Sequence, residues 1–215
     1  MRKYLLFFAL PFLGVTANAQ FNTGQKMISG RLSVNSSTTT IPSGGKQQNW
    51  GVGISPSYAW FRSAKSFDEV GIGYAYGHSK DESPSSVLTT SNSHAVNLFF
   101  QRTNLETIAR KLYFTYDYGV SAGFGTQKTT NFSPSSYSKQ SSYGANIYGG
   151  IGLLYQLTPR FLFDAGLSNL FSASFTHSQI SNSGTTTSKN NSFSLNTGLS
   201  GFTVGSLGFG VRYLL

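Results

Sequence analysis

Large apolar residues and small residues alternate along most of the chain. Between Trp50 and Trp60 the even positions hold Trp, Val, Ile, Pro and Tyr, and the odd positions hold Gly, Ser and Ala. The same period of two returns over 70–77, 112–125 and 143–155. Strict alternation predicts β-strands with two unlike faces.

The chemistry of the two faces indicates which one lies inside. A soluble sheet usually turns charged residues to water, whereas the second face here carries Gly, Ser, Ala, Asn and Thr. Small polar residues fit a narrow interior, and large apolar residues fit a lipid-facing exterior. The pattern therefore favours a transmembrane β-barrel, with an ordinary β-sandwich as the alternative.

Segment lengths predict an all-β, eight-stranded antiparallel up-and-down barrel. The expected strands lie near 25–36, 47–61, 67–79, 92–102, 111–126, 141–157, 160–177 and 190–215. Long polar connections over 37–46, 80–91, 127–140 and 178–189 alternate with shorter ones over 62–66, 103–110 and 158–159. Such barrels have short periplasmic turns and longer extracellular loops. The last strand is expected to be a single one, kinked at the glycines of 201–205, since glycine within a strand often marks a bulge.

Aromatic residues gather near the expected strand ends, where amphipathic rings prefer the headgroup level of a bilayer. One predicted girdle lies at the periplasmic rim and consists of Tyr58, Trp60, Phe67, Phe100, Tyr155, Phe161, Phe163 and Tyr213. The other, at the outer rim, includes Trp50, Tyr76 and Tyr143. The alternative is that these residues are simply good strand formers.

Composition narrows the class further. Only 11% of the 215 residues are charged, there is no Cys, and 18 Phe and 12 Tyr are present. A run of roughly 20 apolar residues, as a membrane helix needs, does not occur. Without Cys, disulfides and thiolate chemistry are excluded.

The first residues read as a secretory signal peptide. Arg2 and Lys3 precede an apolar run over 4–15, and Ala17-Asn18-Ala19 supplies a small-x-small cleavage site. Cleavage after Ala19 would leave residues 20–215 as the barrel domain and lower the formal net charge from +9 to +7. The basic residues are scattered, so the sequence lacks a patch typical of nucleic-acid binding.

Three segments carry a resemblance to a known family. They are Gly51-Val52-Gly53-Ile54-Ser55-Pro56-Ser57-Tyr58, Tyr155-Gln156-Leu157-Thr158-Pro159-Arg160-Phe161 and Leu207-Gly208-Phe209-Gly210-Val211-Arg212-Tyr213. With them the chain resembles the small eight-stranded outer-membrane barrels of the porin-like, OmpX-type family, especially the outer-membrane β-barrel proteins of Bacteroidetes-type bacteria. The resemblance implies a location in the bacterial outer membrane, insertion by the barrel-insertion machinery and a monomer. Members commonly end in an aromatic residue, whereas this chain ends Tyr213-Leu214-Leu215.

Five charged residues fall on the predicted inward face, where an eight-stranded barrel has room only for side chains. They are Arg31, Glu69, Asp117, Asp164 and Arg212. Because buried charges must be paired, we expect a network of arginines and carboxylates that plugs the lumen. A proton or ion path is the alternative.

The other basic residues divide between the two ends of the barrel. The group at the short periplasmic turns is Arg62, Lys65, Arg110, Lys111 and Arg160. Lysines in or beside the long connections would gain attraction from lipid phosphates, so contact with outer-membrane lipids or lipopolysaccharide is expected; solvated surface charge is the alternative. These residues are Lys46, Lys80, Lys128, Lys139 and Lys189.

Candidate enzyme chemistry is weak. His78, His94 and His177 lie near strand tops, but adjacent strand residues such as His78 and Ser79 point to opposite faces and cannot pair simply. The three histidines show no metal-ligand spacing, and no cofactor motif is present. The expected function is a non-enzymatic structural or interaction barrel with a plugged lumen. A narrow pore for small solutes is the first alternative, and a lipid-modifying enzyme is the second.

Overall fold

The computed structural model describes residues 21–40, 45–83, 86–132, 135–182, 185–197 and 207–215. Its strands are β1 (Lys26–Thr40), β2 (Lys46–Ser63), β3 (Ser66–Ser83), β4 (Ser86–Ala109), β5 (Leu112–Phe132), β6 (Ser135–Gln156), β7 (Phe161–Asn182), β8 (Thr185–Thr197) and β9 (Leu207–Leu214). In these ranges no helix has the length and apolarity needed to cross a membrane. The predicted signal peptide and its cleavage site lie outside the described residues.

Consecutive strands pair antiparallel from β1 to β7, and β9 closes the ring. It pairs with β1 from Met27↔Leu214 to Leu32↔Phe209, and with β7 on its other edge. The ring therefore consists of β1 to β7 plus β9. The predicted all-β, eight-stranded antiparallel barrel is confirmed.

Two strands share the eighth position of the ring, where a single strand over 190–215 was predicted. β9 pairs with the first part of β7, and β8 pairs with β7 from Phe171↔Thr197 to Asn182↔Thr185. Both run in the same direction along one edge of β7. Between their pairing ranges lie residues 168–170 of β7. Residues 198–206, between β8 and β9 in the chain, lie outside the described residues. The predicted kink at 201–205 lies outside the described residues.

The polar segments that were predicted to be long loops are mostly strand, which corrects the sequence interpretation. β5 and β6 stay in register up to Phe132↔Ser135, and β3 and β4 stay paired up to Ser83↔Ser86. Polar residues occupy both faces of these extended hairpins, so the apolar alternation stops while the backbone ladder continues. In one of them, hydrogen bonding to Lys80 lowers the pKa of the Glu82 carboxyl.

The opposite end of the barrel, called here the short-turn end, has tight connections at 64–65, 110–111 and 157–160. The predicted turn over 103–110 is wrong for most of its length, because residues 103–109 belong to β4. There the Leu105 amide donates to the Lys65 carbonyl at 2.8 Å, which ties this hairpin to the neighbouring turn. Residues 103–109 remain in the sheet because β5 pairs with them.

The barrel is apolar outside and mixed inside. Outward side chains such as Ile54, Leu98 and Val120 are half-exposed or more, in a band that continues around the ring. A contiguous apolar surface of this kind is unusual for a soluble monomer and suits a lipid environment. The buried apolar core lies inside the barrel at the short-turn end.

Candidate functional site

An ion-pair network occupies the lumen near the short-turn end. Arg212 donates from Nη1 to Glu69 Oε2 at 2.8 Å and from Nε to Asp164 Oδ1 at 2.9 Å. Across the β1–β9 seam, Arg31 Nη2 donates to Asp164 Oδ2 at 3.1 Å. Four of the five predicted lumen charges thus form one connected cluster from β1, β3, β7 and β9.

The barrel wall supplies hydrogen bonds that hold Glu69 in place. Ser29 Oγ donates to Glu69 Oε1 at 2.9 Å, and Ser57 donates to the same oxygen. Gln101 Nε2 donates to Oε2 at 3.0 Å, and the Tyr148 hydroxyl donates to Gln101 Oε1 at 3.3 Å. Sequence reasoning missed these polar partners, although their inward position in each alternating strand was a usable signal.

Asp117, the fifth predicted residue, lies beside the cluster without joining it. It lines a void of about 20 Å³ together with Arg31, Asp164 and Arg212. Among the described residues it forms no ion pair within 4.0 Å. The void is large enough for about one water molecule, so the charged layer leaves little free space below it.

Beneath the charges, an apolar cluster fills the short-turn mouth of the barrel. The segment before β1 turns inward at Gly24, whose φ of 81° favours glycine. This turn places Phe21 in the mouth, with its ring centroid 4.5 Å from Phe61 and 5.3 Å from Tyr113. The Arg212 guanidinium lies 5.1 Å from the ring centroid of Phe67, directly joining the charged layer to the apolar one. The cluster consists of Phe21, Met27, Ala59, Phe61, Phe67, Leu105, Tyr113, Leu154, Leu162 and Leu214.

On the other side of the charges, the lumen widens into a polar cavity of about 370 Å³. Its wall includes Ser33, Asn97, Ser121 and Asn146, and Arg31 and Glu69 lie among its lining residues. The Asn146 side-chain oxygen is buried and has no hydrogen-bond partner in the described part of the chain. The interior can therefore hold small polar solutes or water above the charged layer.

The predicted girdle residues, with one exception, lie on the outward-facing positions. At the short-turn end Tyr58 packs 6.1 Å from Trp60, and Phe161 packs 5.0 Å from Tyr213, in centroid distances. Tyr155 lies in the same zone, directly opposite Phe163. Toward the extended hairpins, the Trp50 and Tyr76 centroids are 5.3 Å apart, and Tyr143 stacks on His177 at 4.8 Å.

The exception is Phe67, which was predicted at the periplasmic rim. Its side chain is buried in the apolar cluster inside the barrel. Because Val70 faces outward on the same strand, an odd position such as 67 must face inward. The position of Phe67 near a strand end was misleading, whereas the alternation of β3 was the correct guide.

A second charged cluster, which sequence reasoning missed, lies on the outward face. Asp68 accepts from Arg62 Nε at 2.8 Å, from Arg102 Nε at 2.7 Å and from Arg102 Nη2 at 3.1 Å. Asp68 is 0% exposed although it points away from the lumen. The available signal was an acidic residue at an even, lipid-facing position of β3.

The three histidines lie on the outward face toward the extended hairpins. The Nδ1 atoms of His78 and His177 lie 2.8 and 2.6 Å from asparagine side-chain oxygens, and His94 Nδ1 lies 2.8 Å from the Tyr74 hydroxyl. Each Nδ1 atom thus has a neutral polar partner rather than a carboxylate that would orient a catalytic base. Within the described ranges no three His, Asp or Glu side chains are grouped to hold a metal ion.

Comparisons with known proteins agree with this architecture. No protein-family model matches the chain, and no curated protein matches it. Among solved structures, it is similar to a major outer membrane protein from Thermus thermophilus, with 11% identity, a TM-score of 0.50, and coverage of 89% of this chain and 99% of that one. It is also similar to the translocator domain of the autotransporter NalP from Neisseria meningitidis, with 11% identity and a TM-score of 0.50 over 81% of this chain. The chain spans 60% of the length of that translocator domain. These likenesses show that the chain has the fold of outer-membrane β-barrels.

Proposed function

We propose that this protein is a non-enzymatic barrel of the bacterial outer membrane whose lumen does not conduct. The observation that carries the proposal is the double closure of the lumen. An apolar cluster around Phe61 and Phe67 fills the short-turn mouth, and the Arg212–Glu69–Asp164 network lies directly above it. Its task is then structural, or it is performed by the extended hairpins and the outward face.

Several features support this location and orientation. The outward band is apolar, the aromatic residues lie near its two edges, and the solved structures with the same fold include a major outer membrane protein. Barrels of this type place short turns in the periplasm, so the extended hairpins would face the outside. The closer relationship to OmpX-type barrels of Bacteroidetes-type bacteria rests on segments 51–58, 155–161 and 207–213, and we retain it as part of the proposal.

Outer-membrane lipid is the partner we propose for the hairpin region. Lys128 and Lys139 lie directly opposite each other on β5 and β6, an arrangement that is unfavourable unless an anion lies nearby. They line a groove of about 530 Å³ with His94 and Tyr137. The phosphates of lipopolysaccharide would supply that anion. Retention of lipopolysaccharide by the purified monomer should fall in Lys139→Glu, and unchanged retention would reject this contact.

Planar-bilayer recording tests the closed lumen. We expect wild-type protein and Arg31→Ala to show conductance near zero, because Arg31 pairs with Asp164 while Arg212 still bridges Asp164 and Glu69. The same substitution should lower the unfolding temperature. A large conductance in Arg31→Ala would contradict the proposal that the charged network closes the lumen. Open channels in the wild type would favour a narrow pore for small solutes.

That alternative is a narrow pore for small solutes, and the polar cavity of about 370 Å³ is the observation that favours it. For the third candidate, a lipid-modifying enzyme, the test is the mass profile of lipid A from cells with and without the protein. An unchanged profile is expected from the non-enzymatic barrel.

A further inference from the structure

The outward charged cluster of Arg62, Asp68 and Arg102 poses an energetic problem. It lies on the face that elsewhere presents apolar side chains, with the outward-facing Val70 and Phe100 beside it. Charge on a lipid-facing surface is costly away from the polar edges of the bilayer. The cluster lies close to the 64–65 turn, and therefore at the level where lipid headgroups meet the short-turn end.

Asp68 serves as a platform for the two arginines. Its carboxylate is 0% exposed and accepts three hydrogen bonds from them, whereas the side chains of Arg62 and Arg102 are 59% and 41% exposed. The carboxylate therefore fixes two guanidinium groups side by side while leaving both open to the surroundings. Because the two arginine side chains are already ordered, binding an anion would carry a smaller entropic cost.

Donors and charge remain available after these contacts. In the described part of the chain, Arg62 uses only Nε, so both of its Nη groups are open. Two guanidinium groups and one carboxylate leave a net charge of +1. Guanidinium groups suit the geometry of phosphate oxygens, so one phosphodiester carrying a single negative charge would complete the cluster.

Aromatic rings beside the cluster fit the rest of a lipid molecule. The Arg62 guanidinium carbon lies 5.8 Å from the Trp60 ring centroid, and Trp60 lies 6.1 Å from Tyr58 and 6.5 Å from Phe100. Tyr118 is a further hydroxyl neighbour of Arg102. Together they combine a basic spot with an apolar, ring-lined wall on the side facing the bilayer.

We propose that Arg62 and Arg102, held by Asp68, form a binding site for the phosphodiester of an anionic glycerophospholipid in the periplasmic leaflet. A free phosphate would not use the aromatic wall, whereas a lipid places its headgroup on the arginines and its glycerol and chains against Trp60 and Phe100. This inference rests on the proposed membrane location but not on the closed lumen. It also differs from the lipopolysaccharide contact, which lies at the opposite end of the barrel.

The test compares bound lipids by native mass spectrometry of the full chain. Protein refolded in micelles is given equal amounts of phosphatidylglycerol and phosphatidylcholine with identical acyl chains. We expect the wild type to retain phosphatidylglycerol in preference, and Arg62→Gln to reduce that preference about five-fold, as expected for one basic residue near anionic lipid. Arg102→Gln should act in the same direction.

Lys65→Gln is the matched control, because it removes one positive charge from the adjacent turn without touching the Asp68 platform. It should keep the wild-type preference. Equal retention of the two lipids by the wild type, or an equal loss in Lys65→Gln and Arg62→Gln, would overturn the site. Arg62 is mostly exposed, so Arg62→Gln decides the matter even if Arg102→Gln does not refold. Insertion into phosphatidylcholine vesicles is measured separately and tests the proposed membrane location. Failure of the lipid site can therefore be distinguished from failure of the membrane location.

Discussion

Arg212 and Glu69 are 143 positions apart in the chain, and their side chains form an ion pair of 2.8 Å inside the barrel. The Arg212 and Glu69 side chains are only 4% and 5% exposed. Two strands on different sides of the closure seam therefore meet through their charges. Removing either partner would leave the other charge buried without this pairing.

Loss of one partner should be costly for this reason. Glu69→Gln and Arg212→Met should each lower the free energy of unfolding by about 3–5 kcal/mol. The double variant should lose less than the sum of the two, because it leaves neither charge stranded. Urea unfolding in vesicles, followed by the fluorescence of Trp50 and Trp60, measures this, with Lys65→Gln as control. Strictly additive losses would contradict the pairing.

The apolar cluster gives a second prediction. Phe21→Ala removes a ring that is 4% exposed and stacked on Phe61, so the unfolding free energy should fall by about 3 kcal/mol. Phe132→Ala is the matched control, since that ring is 54% exposed at the end of β5. Thermal unfolding of both variants provides the comparison. Equal effects would mean that Phe21 is not packed in the mouth.

Gly210 and Gly30 are a matched pair of glycines on neighbouring strands. A Cβ at Gly210 would lie 2.9 Å from Asp164 Cγ, whereas one at Gly30 would meet nothing within 4 Å. Gly210→Ala should therefore displace the Asp164 carboxylate and cost about 1–3 kcal/mol of stability, and Gly30→Ala should change little. Urea midpoints of the two variants measure the difference. Similar midpoints would show that Asp164 can move without loss.

The extended hairpin of β5 and β6 provides a prediction outside the membrane. Lys139→Glu replaces the repulsion with Lys128 by attraction, which is worth about 0.2–1 kcal/mol for a cross-strand pair. Amide exchange near residues 126–140 should slow by about two- to five-fold in lipopolysaccharide-free protein. Lys189→Glu, on a different hairpin opposite Gln179, is the control. Unchanged exchange would mean that the two ammonium groups do not meet across the ladder.

Much of the fold followed from the local pattern. Alternation around 50–60 and 112–125 identified the strands and their outward faces, and placed Arg31, Asp164 and Arg212 inside. The same alternation predicts that Phe67 faces inward and Asp68 faces outward. The prediction missed both, because it relied on the position of Phe67 near a strand end and considered only the inward charges. The hairpin extensions could not be read in this way, because segments such as 127–140 are polar on both faces and show no period.

The sequence by itself determined the strands, their two faces, the antiparallel barrel and the set of inward charges, because alternation is a property of neighbours in the chain. Only the tertiary structure decided the stagger of the strands, and with it which charges meet. Glu69 pairs with Arg212, and Asp117 stands apart, because closure of β9 between β1 and β7 sets their heights in the lumen. The same closure brings Phe21 into the mouth, and the pairing of β2, β3 and β4 brings Arg62 and Arg102 onto Asp68.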